Sequence, residues 1–141
     1  RIIPRTILCA LTGEKVPLHG GGKSIRSFIH MDDVSDGVND VIFKGKLGET
    51  YHISPKEFIS IYDLVLKIGT MAGVEEDDLF EITEDRIGKD QYYLLDPHVM
   101  MTEMGWECRV SLDEGLQRCT DWVKANLDYL KTVDPTYIHK P

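Results

Sequence analysis

Arg26 is the residue whose surroundings most suggest chemistry. It follows a run of three glycines, Gly20 to Gly22, within the stretch GGGKSIRSFIHM. A guanidinium offers a planar fork of donors that matches phosphate oxygens two at a time, and neighbouring glycines let a ligand approach the backbone closely. Arg86, with Gly88 and Lys89, is a second basic cluster in an otherwise acidic chain. On spacing alone each arginine fits a surface or salt-bridged position slightly better than a ligand contact. The residues by themselves lead no further than a candidate anion site.

Other chemistries find less support. Gly22, Lys23 and Ser24 imitate the end of a P-loop, but the first glycine of that motif would fall on Pro17, and a strand is expected after it where the motif needs a helix N-terminus. A glycine-rich turn is the better reading. The five histidines (His19, His30, His52, His98 and His139) share no metal-ligand spacing, and neither HExxH nor GxSxG occurs. Asp32 and Asp33 are better explained as helix caps than as an acid/base pair. Cys9, Cys108 and Cys119 are odd in number, widely separated and without a CxxC pair, which suits unpaired thiols in a reducing compartment.

The 141 residues carry 24 acidic and 16 basic side chains, a formal charge of -8. That balance argues against nucleic-acid and anionic-membrane partners, which both need basic surface, but leaves room for a small anion held by one or two arginines. Neither a leader peptide nor a run of about 18 apolar residues is present, so the cytoplasm is the simplest expected location. The chain opens on Arg1 directly inside a helical pattern, as expected of a piece of a larger protein.

The elements that must position these residues alternate between helix and short strand, an α/β pattern. Ile3, Ile7, Leu8 and Leu11 share a helical face that ends at Gly13. Val16–His19 reads as a strand, Gly20 to Lys23 as a turn, and Ser24 to Met31 as a second strand with Arg26, Phe28 and His30 on one face. Asp32 or Asp33 is expected to cap a helix carrying Val34, Val38, Val41 and Ile42, ending near Gly45. Glu49 to Ser54 is a third strand candidate. Ser60 with Asp63, and Ser111 with Glu114, are capping boxes that open amphipathic helices. Glu75 to Asp78 reads as a solvated loop, Phe80 to Thr83 as a strand, and Asp96–Pro97 as the start of a short helix ending at Gly105.

The stretch IPRTILCALTGEKVPLHGGGKSIRSFIHMDDVSDGVNDVI, followed in order by GETYHIS, EDRIGKDQYYLLD, EMGW and SLDEGLQRCTDWVKANL, resembles the carboxyl-terminal half of the extended short-chain dehydrogenases, the NAD-dependent epimerase/dehydratase family. Within them it is most similar to the dTDP-glucose 4,6-dehydratases. The resemblance runs to about Leu127. The glycine-turn, Arg, Asp-Asp-Val segment marks the superfamily, and DR-x-G-x-D favours the dehydratases.

The resemblance implies that residues 1–131 are the nucleotide-sugar-binding portion of a larger enzyme, with helices and short strands and a Rossmann domain absent; the polar, proline-bearing stretch 132–141 is expected to be a loose tail. It implies that Arg26 contacts the diphosphate and Arg86 the phosphate or ribose side. Val16, Pro17 and Leu18 would line the nucleobase slot, with His19 stacking on the base. His52 stands where the family has an asparagine, Lys89 where it has a histidine, and Ile87 where it has a proline; His52 and Lys89 join the expected substrate contacts. The family's NAD fingerprint, its Tyr-x-x-x-Lys pair and its acid/base groups belong to the other half; here Tyr62 is followed four residues on by Leu66, and Tyr51 by Pro55. The chain is therefore expected to hold no catalytic, cofactor or metal ligand and to be inactive alone. The homodimeric parent would bind NAD, oxidise the sugar at C4, eliminate water across C5 and C6, and return hydride to C6. Epimerase or decarboxylase chemistry, or a non-catalytic binding module, are the alternatives. Apolar faces that would pack on the other half are expected to make the isolated piece self-associate.

Overall fold

In a computed structural model, residues 1–85, 88 and 90–133 are described. Helix α1 (Ile2–Thr12) carries Ile7 and Cys9 inward and ends on Gly13. Strand β1 (Val16–His19) follows, then a single 3-10 turn over Gly20–Gly22, then β2, which is only Ile25–Arg26. The expected strand to Met31 is thus shorter than its alternation suggests. Phe28 and Ile29 do point to opposite apolar clusters, but the chain beyond Arg26 turns into helix α2 (Met31–Lys44).

The cap of α2 is a correction. His30, not an aspartate, closes it, its Nδ1 accepting from the Asp32 amide at 3.2 Å. That frees Asp33 for a different use. The expected strand over 49–54 does not form either; a strand exists only through a neighbouring backbone, and among the described residues none pairs with this one. Ile53 and Tyr51 instead pack side chains against Trp106 and its neighbours.

Both serines cap their helices as expected, through the forward bond of the capping box. Ser60 Oγ accepts from the Asp63 amide at 2.9 Å at the start of α3 (Ile61–Ala72), after the short β3 (Ile59–Ser60). Ser111 Oγ accepts from the Glu114 amide at 3.2 Å at the start of α6 (Leu112–Ala125). The acidic run is not a loop: Glu76–Leu79 makes the one-turn helix α4. Its carboxylates sit at a helix start, where the peptide dipoles favour them, and Leu79 drops into the core, 1% exposed. Next come β4 (Phe80–Thr83), β5 (Tyr92–Tyr93), α5 (His98–Met104), where Asp96 Oδ1 accepts from the His98 amide, and, after α6, α7 (Leu127–Leu130).

Two small sheets result. β1 pairs in parallel with β4, from Val16 beside Phe80 to His19 beside Thr83, the connection between them passing through α3 as a parallel pair requires. The second has the order β3-β2-β5, antiparallel on one side of β2 and parallel on the other. Three apolar clusters hold these pieces together. Ile7, Leu64, Ile68, Leu116 and Val123 join α1, α3 and α6. Cys9, Val16, Leu18, Val65 and Leu79 lie under the β1–β4 pair, and Met100, Met104 and Trp106 meet Ile29, Val41 and Ile53 between α2 and α5.

Candidate functional site

The turn between β1 and β2 joins His19 to the short strand that carries Arg26, two of the expected ligand residues. All three of its glycines have positive φ. At Gly22 the reason is also spatial: a Cβ there would lie 2.7 Å from the Tyr62 nitrogen and 2.9 Å from a Leu18 methyl. The turn is thereby pressed against the start of α3. A strand follows it, not a helix, so it lacks the converging amides of a P-loop.

Arg26, leaving this turn, is already engaged. Its Nη1 donates to the carbonyls of Ile25 (2.7 Å) and Gln91 (3.2 Å), and its Nη2 to that of Asp90 (2.5 Å). The Ile25 amide donates to the same Gln91 carbonyl at 2.8 Å. A guanidinium has five N–H donors; the two on Nη1 and one on Nη2 meet these carbonyls. The Nε–H and the second Nη2–H make up the other fork, the geometry that suits a phosphate.

His19 is also oriented. Its Nδ1 lies 2.9 Å from Thr83 Oγ1 and 3.3 Å from the Glu84 carbonyl, and it is half-buried at the end of β1. Val16 and Leu18 are each 1% exposed and face the second cluster; Pro17 between them is half-buried. Of the strand's side chains, then, Pro17 and His19 are those with surface to offer. His52 is exposed on the segment between α2 and β3. Arg86 and Lys89 lie outside the described residues, as do Ile87 and residues 134–141, which hold most of the expected tail.

Three contributions were hidden from the sequence reading: the Thr83 hydroxyl that holds His19, the carbonyls of Asp90 and Gln91 that hold Arg26, and Asp33. The first two lie 64 or 65 residues from their partners, and only the DR-x-G-x-D segment hinted that this stretch mattered. Asp33 is 2% exposed. Its carboxylate accepts from the amides of Arg109 (3.0 Å) and Val110 (3.1 Å), while its own carbonyl accepts from Trp106 Nε1 at 3.1 Å. Asp32 faces outward and pairs with Arg118 at 2.9 Å. The two aspartates serve separate structural partners.

Other groups offer little reactivity. Burial pushes the Cys108 thiol up to about 11, and raises those of Cys9 and Cys119 above their ordinary value. A thiol that holds its proton is a poor nucleophile. The Tyr62 phenol is raised by the hydrogen bond it gives Glu76. Among the described residues no cluster of His, Cys, Asp or Glu could hold a metal ion, and no helix is long and apolar enough to cross a membrane. A cleft of about 760 Å³ between Phe28, Ile59, Lys67, Trp106 and Arg109 includes none of the expected ligand residues. Its charges are mixed, and it lacks the glycine-and-arginine chemistry of the turn.

No protein-family profile matches the chain. Among curated proteins, it is 31% identical over 140 residues to the dTDP-glucose 4,6-dehydratase of Mycolicibacterium smegmatis, covering 96% of the chain and 41% of that protein. It is 28% identical over all 141 residues to the trifunctional UDP-glucose 4,6-dehydratase/3,5-epimerase/reductase RHM2 of Arabidopsis thaliana, covering 21% of it. Among solved structures, it superposes with a TM-score of 0.86 and 29% identity on DesIV, a dTDP-glucose 4,6-dehydratase of Streptomyces venezuelae with NAD and the ligand TYD bound, over 92% of the chain and 40% of that protein. The chain thus spans about two fifths or less of the length of these relatives.

Proposed function

Because the chain belongs to the NAD-dependent epimerase/dehydratase family, as a carboxyl-terminal portion of an extended short-chain dehydrogenase, we propose that it is the substrate-binding part of an NAD-dependent nucleotide-sugar dehydratase. The reaction of the whole enzyme would convert dTDP-glucose to dTDP-4-keto-6-deoxyglucose. The observation that carries this reading is the superposition on DesIV over nearly the whole chain, with a glycine turn and a half-committed arginine at the edge where an anion can dock.

In this reading the free fork of Arg26 takes the diphosphate. Pro17, His19 and the backbone of β1 flank the nucleobase; the Val16 and Leu18 side chains contribute by holding that backbone from beneath. Arg86, Lys89 and His52 complete the substrate contacts. NAD does not fit the described residues. The glycine turn leads into β2, and the N-termini of α2, α3 and α6 are closed by the side chains of His30, Ser60 and Ser111. NAD and the hydride chemistry it supplies therefore belong to the rest of a full-length, homodimeric enzyme acting in the cytoplasm, and this chain mixed with dTDP-glucose and NAD should form no keto sugar.

Calorimetric titration with dTDP and UDP tests the reading. Binding of dTDP, weakened by about 1.5–3 kcal/mol in Arg26→Ala, is the expected result, the scale of a charge-assisted contact; unchanged affinity would remove Arg26 from the site. The likeness to RHM2 along the entire chain favours UDP-sugars as the second reading, and preference for UDP in the same titration would select it.

A further inference from the structure

We propose that Thr83 is a positioning residue for the base contact made by His19: with the Glu84 carbonyl it holds the imidazole as the Nδ1–H tautomer and fixes the plane of the ring. The parallel register sets the two residues side by side, His19 at the end of β1 and Thr83 at the end of β4. Side chains that neighbour each other across a ladder on one face are close enough to meet. Here the His19 Nδ1 lies 2.9 Å from Thr83 Oγ1 and 3.3 Å from the Glu84 carbonyl oxygen.

The two partners differ in what they can do. A hydroxyl donates or accepts by rotating, whereas a carbonyl only accepts. Were the Thr83 hydroxyl to donate to Nδ1, the lone pair of that nitrogen would face the Glu84 oxygen, and two acceptors repel. With the proton on Nδ1, both contacts are attractive. The backbone thus decides the tautomer, and the hydroxyl, the nearer acceptor, strengthens it. A half-turn about the Cβ–Cγ bond would put a ring carbon where Nδ1 stands and lose both bonds. The ring therefore keeps one plane before any ligand arrives. Stacking on a base needs a flat surface at a defined angle, and a side chain ordered in advance loses less entropy on binding. The tautomer stands on geometry alone; its contribution to affinity rests on the function proposed above.

Long-range proton–nitrogen NMR spectra of the 141-residue chain, without ligand and at alkaline pH, test the tautomer. The His19 ring, assigned by its loss in His19→Ala, should carry its proton on Nδ1. A ring with the proton on Nε2 would overturn the proposal, whatever the variants do. In Thr83→Val, which keeps the β-branched shape in the strand, the Nδ1–H population should fall, and Thr83→Ser should restore it. A population unchanged in Thr83→Val would remove Thr83 from the role. For affinity, Thr83→Val should weaken dTDP binding about threefold to tenfold in calorimetry, the scale of one side chain left for the ligand to order. No further loss is expected once His19 is replaced by alanine, and equal losses in the two backgrounds would overturn the coupling. If the wild-type chain binds neither dTDP nor UDP, the proposed function falls, while the ring spectrum still judges the tautomer.

Discussion

Asp33 shows how much a single polar side chain can decide. A carboxylate this deeply buried is tolerated only because two backbone amides, on Arg109 and Val110, donate to it. It ties the start of α2 to the loop entering α6, and its carbonyl anchors Trp106 in the third cluster. Asp33→Ala leaves those amides without an acceptor, so a loss of about 3 kcal/mol in urea unfolding is expected; a wild-type midpoint would show the bonds contribute nothing. Cys108, beside this loop, adds a pH dependence. Desolvation, then the charges of Asp33 and Glu57, raise its thiol from 9.0 to about 11. The folded chain therefore keeps a proton that the unfolded chain has begun to lose. The stabilisation is complete below about pH 9 and is lost as pH rises to about 11. Thermal melts should accordingly fall more steeply with alkaline pH for wild type than for Cys108→Ala, and parallel curves would contradict the shift.

At the scale of elements, the turn that launches β2 depends on contact with α3. Gly22 meets the Tyr62 backbone so closely that no side chain fits, and its φ of +68° is left-handed. Gly22→Ala should destabilise the fold by about 1–3 kcal/mol and displace β2 together with Arg26. A circular-dichroism melt indistinguishable from wild type would refute this. The helices are more autonomous. Both Ser caps were readable because a capping box is a local pattern four residues long, satisfied within one turn. His30 was not, since a histidine caps only when its ring happens to face the first amides.

For the molecule as a whole, an apolar stripe stays uncovered. Met31, Val38 and Ile42, spaced seven and four residues apart along one face of α2, are 66%, 44% and 67% exposed, with Phe43 beside them at 83%. Side chains of this size on one helix face favour burial against another surface. The isolated chain should self-associate through α2, its weight-average mass in sedimentation rising with concentration and falling again in Ile42→Lys. A dilution-independent monomer would contradict the prediction.

By itself the sequence determined the periodic elements, the two serine caps and the glycine-then-arginine signal, because each depends on neighbours within a few residues. α1, β1, α3, β4, α5 and α6 all follow from such patterns, and the ordered motifs carried the family resemblance. Tertiary structure decided what depends on distant backbone. It left 49–54 without a strand partner, shortened β2 to two residues, turned the acidic run into α4 by burying Leu79, and gave Asp33 its amides. It also gave Arg26 its carbonyls. Hydrogen-bond acceptors on the main chain carry no side-chain identity, so no reading of residue types could have found the contacts that orient Arg26.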